Sequence, residues 1–163
     1  MSSRVSTRRG GFDRHLAPIF HRNAIGFLSA SYAIHARSPL GAEHFLAIAI
    51  ELALKAFLLN RGITDDWNRA HIGHDLVKAV KCARRAGLRD APIALMGMAE
   101  VLGPLYQSGA FAKRSADPSF PDGWSDASGT VRALIETVGV AIRGSASRQH
   151  WRGGGESNDL LAS

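Results

Sequence analysis

Between Gly41 and Asn60 the chain is apolar almost all the way round a helix. Leu46, Ile50, Leu54 and Phe57 recur at three- and four-residue steps and mark one face, while Phe45, Ile48, Leu52 and Leu59 cover much of the rest. A helix with so little polar surface must be wrapped by other helices or by lipid. Its most apolar part, Phe45 to Leu59, is too short to cross a bilayer and carries Glu51 and Lys55 in its middle. The segment therefore predicts a helix at the centre of a bundle. Ser38 is expected to cap it, Pro39 to fit its first turn and Gly62 to stop it.

The flanking sequence supplies the helices that do the wrapping. Phe12, Leu16, Ile19, Phe20, Phe27, Leu28 and Ile34 follow a helical period, with Pro18 and Gly26 leaving open two short helices or one kinked one. Residues 63–73 read as a polar connection. A helix from about His74 to Ala86 turns Leu76, Val77, Val80 and Ala83 inward, carries Arg84 and Arg85 in its last turn, and ends at Gly87. Asp90 is expected to cap the next helix, which reaches about Ser108, with Pro104 marking a bend or a new start. Residues 109–125 read as a loop. Ser125 or Asp126 then caps a last helix through Ile142, ended by Gly144. No stretch alternates with period two for long enough to make a sheet. The expected fold class is all-α, a short bundle of about four to five helices. Residues 1–11 are expected to be a flexible basic leader, 12–144 a single domain, and 145–163 a disordered tail rich in Gly, Ser and Arg.

With 163 residues the chain has the length of one ordinary domain, and 45% hydrophobic against 21% charged residues excludes wholesale disorder. The single cysteine, Cys82, excludes an internal disulfide and a cysteine-based metal cluster. No apolar run of signal-peptide character follows the basic N-terminus, so a cytoplasmic location is expected, with no membrane partner. A net charge of +6 favours anionic partners, nucleic acid among them. Several of the cations (Arg4, Arg8, Arg9, Arg143, Arg148 and Arg152) lie towards the two ends, where basic residues are ordinary.

The segment Ala47-Ile-Ala-Ile-Glu-Leu-Ala-Leu-Lys-Ala-Phe-Leu-Leu-Asn-Arg-Gly62, followed by Gly73-His-Asp-Leu76 and Ala83-Arg-Arg-Ala-Gly-Leu88, resembles the HEPN superfamily of higher-eukaryote and prokaryote nucleotide-binding domains. The likeness covers about residues 28–143. It implies a short helical bundle, often a homodimer, in prokaryotic stress, toxin–antitoxin or defence settings. Many members are metal-independent ribonucleases; others bind RNA, nucleotides or a cognate protein without catalysis. Fold alone does not choose between them.

Glu51 and Lys55, at i and i+4, either face a ligand groove or form a structural ion pair, with His74 reaching Glu51; the structural reading is favoured. His74 and Asp75 open a helix. Ribonuclease members of the family carry an arginine, four to six intervening residues, then a histidine. Such a pair polarises a phosphate and moves protons while the 2′-hydroxyl attacks, so no metal is needed. Arg69 with His74 and Arg143 with His150 match that spacing, but neither stands at the start of a late core helix, the family's usual position. Arg114 aligns with a family Arg-Tyr-Pro element in which Ser115 and Ala116 replace the last two residues. His15 and His21, and His35 and His44, lack helical metal-ligand spacing, so no metal and no cofactor are expected. The sequence thus favours a non-catalytic binding module, with a metal-independent endoribonuclease and a purely protein-interaction subunit as the alternatives.

Overall fold

Helix α2 (Pro39–Asn60) holds the centre, and its composition says why. Leu46, Ile50, Leu54, Leu58 and Leu59 are fully buried, and so are Ala42, Ala47, Ala49, Ala53 and Ala56 between them. Alanine costs no side-chain entropy in a helix and lets neighbouring backbones approach closely. The helix ends in a Schellman turn, with the Gly62 amide donating to the Leu59 carbonyl and the Ile63 amide to Leu58. Gly62 has φ +91°, a left-handed conformation that glycine adopts freely.

The computed structural model describes residues 13–113 and 117–153, and these are all-α, with no strand among them. A 3-10 turn at Asp13–Leu16 leads into α1 (Ala17–Ile34), which pairs with α2. The bundle is completed by α3 (Asp65–His71), α4 (Leu76–Arg85), α5 (Leu95–Gln107), a 3-10 turn at Ala110–Lys113, and α6 (Trp124–Gly153). Helix α2 packs against α1, α4, α5 and α6. Helix α1 is also tied directly to α6, since His21 Nε2 meets the Ile135 carbonyl at 2.8 Å and the His35 ring stacks on Trp124 at 4.0 Å.

Several local expectations change. The described residues hold six α-helices rather than four or five, because the connection at 63–73 contains α3. Thr64 caps it by accepting a hydrogen bond from the Trp67 amide, and Asp65 and Asp66 complement its dipole. A short polar helix has no apolar period by which to be recognised. Helix α1 starts one residue before Pro18, so the ring sits in the first turn where no amide is needed. Helix α5 begins at Leu95 rather than after Asp90, and it runs through Pro104 without a new start. The last helix passes Gly144 and reaches Gly153. A helical glycine costs only about 1 kcal/mol, and Asn60 Nδ2 holds this stretch to α2 by donating to the Ala141 carbonyl at 3.3 Å and to Ser145 Oγ at 3.1 Å. Ser38 stands at the N-cap of α2 but makes no side-chain capping bond.

Candidate functional site

The polar residues Glu43, Glu51 and Lys55 form a strip along an otherwise apolar α2, and both carboxylates find partners from another element. Near its start, Glu43 is 1% exposed, and its carboxylate accepts hydrogen bonds from the Ser119 and Phe120 amides at 3.0 and 2.9 Å. That bond pair fastens the α5–α6 connection to the core. Two turns on, Lys55 Nζ donates to Glu51 Oε1 at 2.6 Å, and both side chains are 8% exposed. His74 Nδ1 reaches Glu51 Oε2 at 2.9 Å. The Tyr106 hydroxyl, from α5, also hydrogen-bonds Glu51.

Three donors on one carboxylate explain how a buried charge survives. Burial alone would raise the Glu51 carboxyl. Hydrogen bonds from His74, Lys55 and Tyr106, with the Lys55 charge, outweigh it and hold the group below its usual value. Burial first, and then the hydrogen bond to and charge of Glu51, push the Tyr106 hydroxyl up, so Tyr106 keeps its proton and stays a donor. Local sequence places these groups. Asp75 caps α4 through the Lys78 amide at 2.9 Å, and this sets His74 one residue before the cap, where it reaches Glu51 of α2.

His74 is the open end of the cluster, with its side chain 67% exposed. A carboxylate can only accept, so Nδ1 carries the proton and, in the neutral ring, Nε2 keeps a lone pair. The Tyr106 ring stands edge-on to His74 at 5.3 Å and lies 5.7 Å from His44, which stacks on Phe111. Desolvation lowers the His44 pKa, favouring its neutral form. The arrangement is a histidine oriented by a buried carboxylate, the geometry that readies an imidazole to take a proton.

The Arg-and-His spacings fare differently. Arg69 pairs with Asp65 on its own helix, whereas His74 pairs with Glu51 on α2. The two side chains that match on spacing are thus committed to different carboxylates. Arg143 lies near a histidine, but it is His21. A Cβ built on Gly139 would stand 2.9 Å from His21 Nε2 and 3.2 Å from Arg143 Nη1, so both tips lie over that glycine. The side chain of His150 and all of Arg114 lie outside the described residues. Glu43, Tyr106 and His21 escaped the sequence reading as site residues. Glu43 could have been found, since it shares the α2 polar strip with Glu51 two turns away. Tyr106 and His21 carry no local signal, because their partners are distant in sequence. Among the described residues no three His, Cys, Asp or Glu side chains come together to hold a metal ion.

A separate feature lies at the far end of α2. Arg61, Arg84, Arg85 and Arg89 make no ion pair among the described residues. No helix of the described residues is long and apolar enough to cross a membrane. Comparison with protein-family models, with curated proteins and with solved structures finds no match to this chain.

Proposed function

We propose that this chain is a non-catalytic HEPN-like binding and regulatory module whose ligand is anionic: a nucleic acid, a nucleotide or an acidic protein partner. The observation that carries the reading is the set of four guanidiniums near the α4–α5 turn, Arg61, Arg84, Arg85 and Arg89, that form no ion pair among the described residues. Charged groups inside this protein are partnered, as Glu51 and Lys55 are, so cations left open at one end are available to a partner. The family resemblance adds a homodimeric state and a prokaryotic stress or defence setting to the proposal.

A second reading, a metal-independent endoribonuclease, draws on one observation: His74 is oriented by Glu51 and open to solvent. Against it stands Arg69, held by Asp65 and therefore diverted from a phosphate beside His74. One experiment separates the two. Purified protein is incubated with mixed RNAs in EDTA, beside Arg69→Ala, His74→Ala and His150→Ala variants, and binding is followed across a salt series. The binding reading expects intact RNA and an affinity for some anionic partner that falls steeply with salt. Cleavage that survives EDTA and disappears in one folded variant would replace it with the ribonuclease.

A further inference from the structure

The open arginines border a shallow groove whose lining mixes polar and aliphatic side chains. Two hollows, of about 600 Å³ and about 390 Å³, lie on either side of Leu88 and Arg89, which line both. Arg84 and Met96 line the first, and Phe57 and Arg61 the second. Ile93, 97% exposed, stands on the rim of the first, and Val140, 63% exposed, on the rim of the second.

The rim is built rather than incidental. Helix α4 ends in a second Schellman turn, with Gly87 at φ +102°, its amide donating to Arg84 and the Leu88 amide to Ala83. Leu88 is thereby turned into the core at 3% exposure while Arg89 is left outside. The Arg61 guanidinium lies over the Phe57 ring at 5.1 Å. Its Nη2 lies 3.0 Å from where a Cβ on Gly87 would stand. Asp90, the carboxylate on the lining, forms no ion pair with these arginines.

We propose that this groove docks an acidic, amphipathic segment of a partner protein, its apolar side on Ile93 and Met96 and its carboxylates on Arg61, Arg84 and Arg89. The proposal rests on the reading of the chain as an anion-binding module and names the partner. Charge complementarity selects an acidic ligand, and arginine forms the paired hydrogen bonds that carboxylates accept. The aliphatic part of the lining selects a protein over a nucleic acid. Single-stranded nucleic acids are held by exposed rings on which bases stack, but Phe57, the aromatic side chain on the lining, is 1% exposed. Among the described residues the exposed rings, Tyr32 and Trp67, belong to α1 and α3.

The test uses the full chain and two synthetic amphipathic helices of about five turns, with leucine on one face and either glutamate or lysine beside it. Binding is read from methyl resonances of Leu88, Ile93 and Met96 and from fluorescence anisotropy. The glutamate peptide is expected to shift those resonances, and the lysine peptide to leave them in place. Arg84→Glu with Arg89→Glu, two exposed positions that leave the core untouched, is expected to weaken binding by roughly tenfold or more. A charge-matched control, Arg22→Glu with Arg37→Glu, is expected to change it little. Mixed-sequence RNA is the competing ligand. If RNA moves the groove resonances and the glutamate peptide does not, the partner assignment falls while the anion-binding reading stands. If neither ligand binds at low salt, both fall. If the peptide shifts resonances elsewhere, or the control pair weakens it equally, the groove is the wrong site.

Discussion

The two ends of α2's surroundings treat charge in opposite ways. Around Glu51 the cations and donors converge. Lys55, His74 and Tyr106 all address one carboxylate, and the Glu51 and Lys55 side chains are each 8% exposed. Around the α4–α5 turn the arginines form no ion pair among the described residues and stand beside exposed aliphatic side chains. The contrast teaches how to tell a structural charge from an available one. A charge taken out of water is retained only when its partners are already in place. A charge kept at the rim costs the fold nothing and can wait for a ligand. The first region is therefore expected to govern stability, and the second, binding.

Breaking the pair inside gives the largest expected effect. Glu51→Ala leaves Lys55 buried without its counter-charge and removes the acceptor of His74, so chemical denaturation should show a loss of about 3–5 kcal/mol. Replacing both residues, Glu51→Leu with Lys55→Met, sharpens the point. That variant should be nearly as stable as the parent, because no buried charge is left unpaired. A double variant as unstable as Glu51→Ala would show that packing, not charge, sets the cost. A core truncation without charge, Leu54→Ala, should cost about 2–5 kcal/mol from lost burial and the cavity left behind. Glu43→Gln should cost less, about 1.5–3 kcal/mol, since it weakens two charge-assisted bonds to the Ser119 and Phe120 amides. Hydrogen exchange at those two amides would report it directly.

A pH series isolates the same cluster. The Glu51 carboxyl is held below its usual 4.5 in the folded protein. Its contribution is therefore fully present above that unfolded value and is lost as the pH falls through the lowered folded one. Urea midpoints should drop on acidification below about pH 4.5, and Glu51→Gln should flatten that part of the profile. The smallest effect on stability belongs to the other region. Arg84→Glu with Arg89→Glu should leave the urea midpoint within about 0.5 kcal/mol of the parent, while changing what the surface binds. A large stability loss there would erase the distinction between the two regions.

The legible part of this protein was the part written in local period. The central helix, its glycine stop, the inward face of α4 and the link from Glu51 to Lys55 and His74 all follow from spacing along the chain. The missed elements lack such a period: α3 is too short and polar to show one, and α6 passes Gly144 because Asn60 holds it from another helix. The Arg-and-His spacings show the converse failure, since residues at the right separation were drawn to different carboxylates by the helices that carry them.

What the sequence by itself determined was therefore the class of fold and its centre, because an all-round apolar helix has few ways to be buried and glycine has few equals at a left-handed stop. Tertiary structure alone decided the pairings that local spacing does not reach. Tyr106 comes to Glu51 from 55 residues away, His21 comes to α6 across 114, and Arg61 and Arg89 share a groove only because α2 and the α4–α5 turn end side by side. Such pairings depend on distance in space, which falls off in no regular way with separation along the chain, and so no local pattern records them.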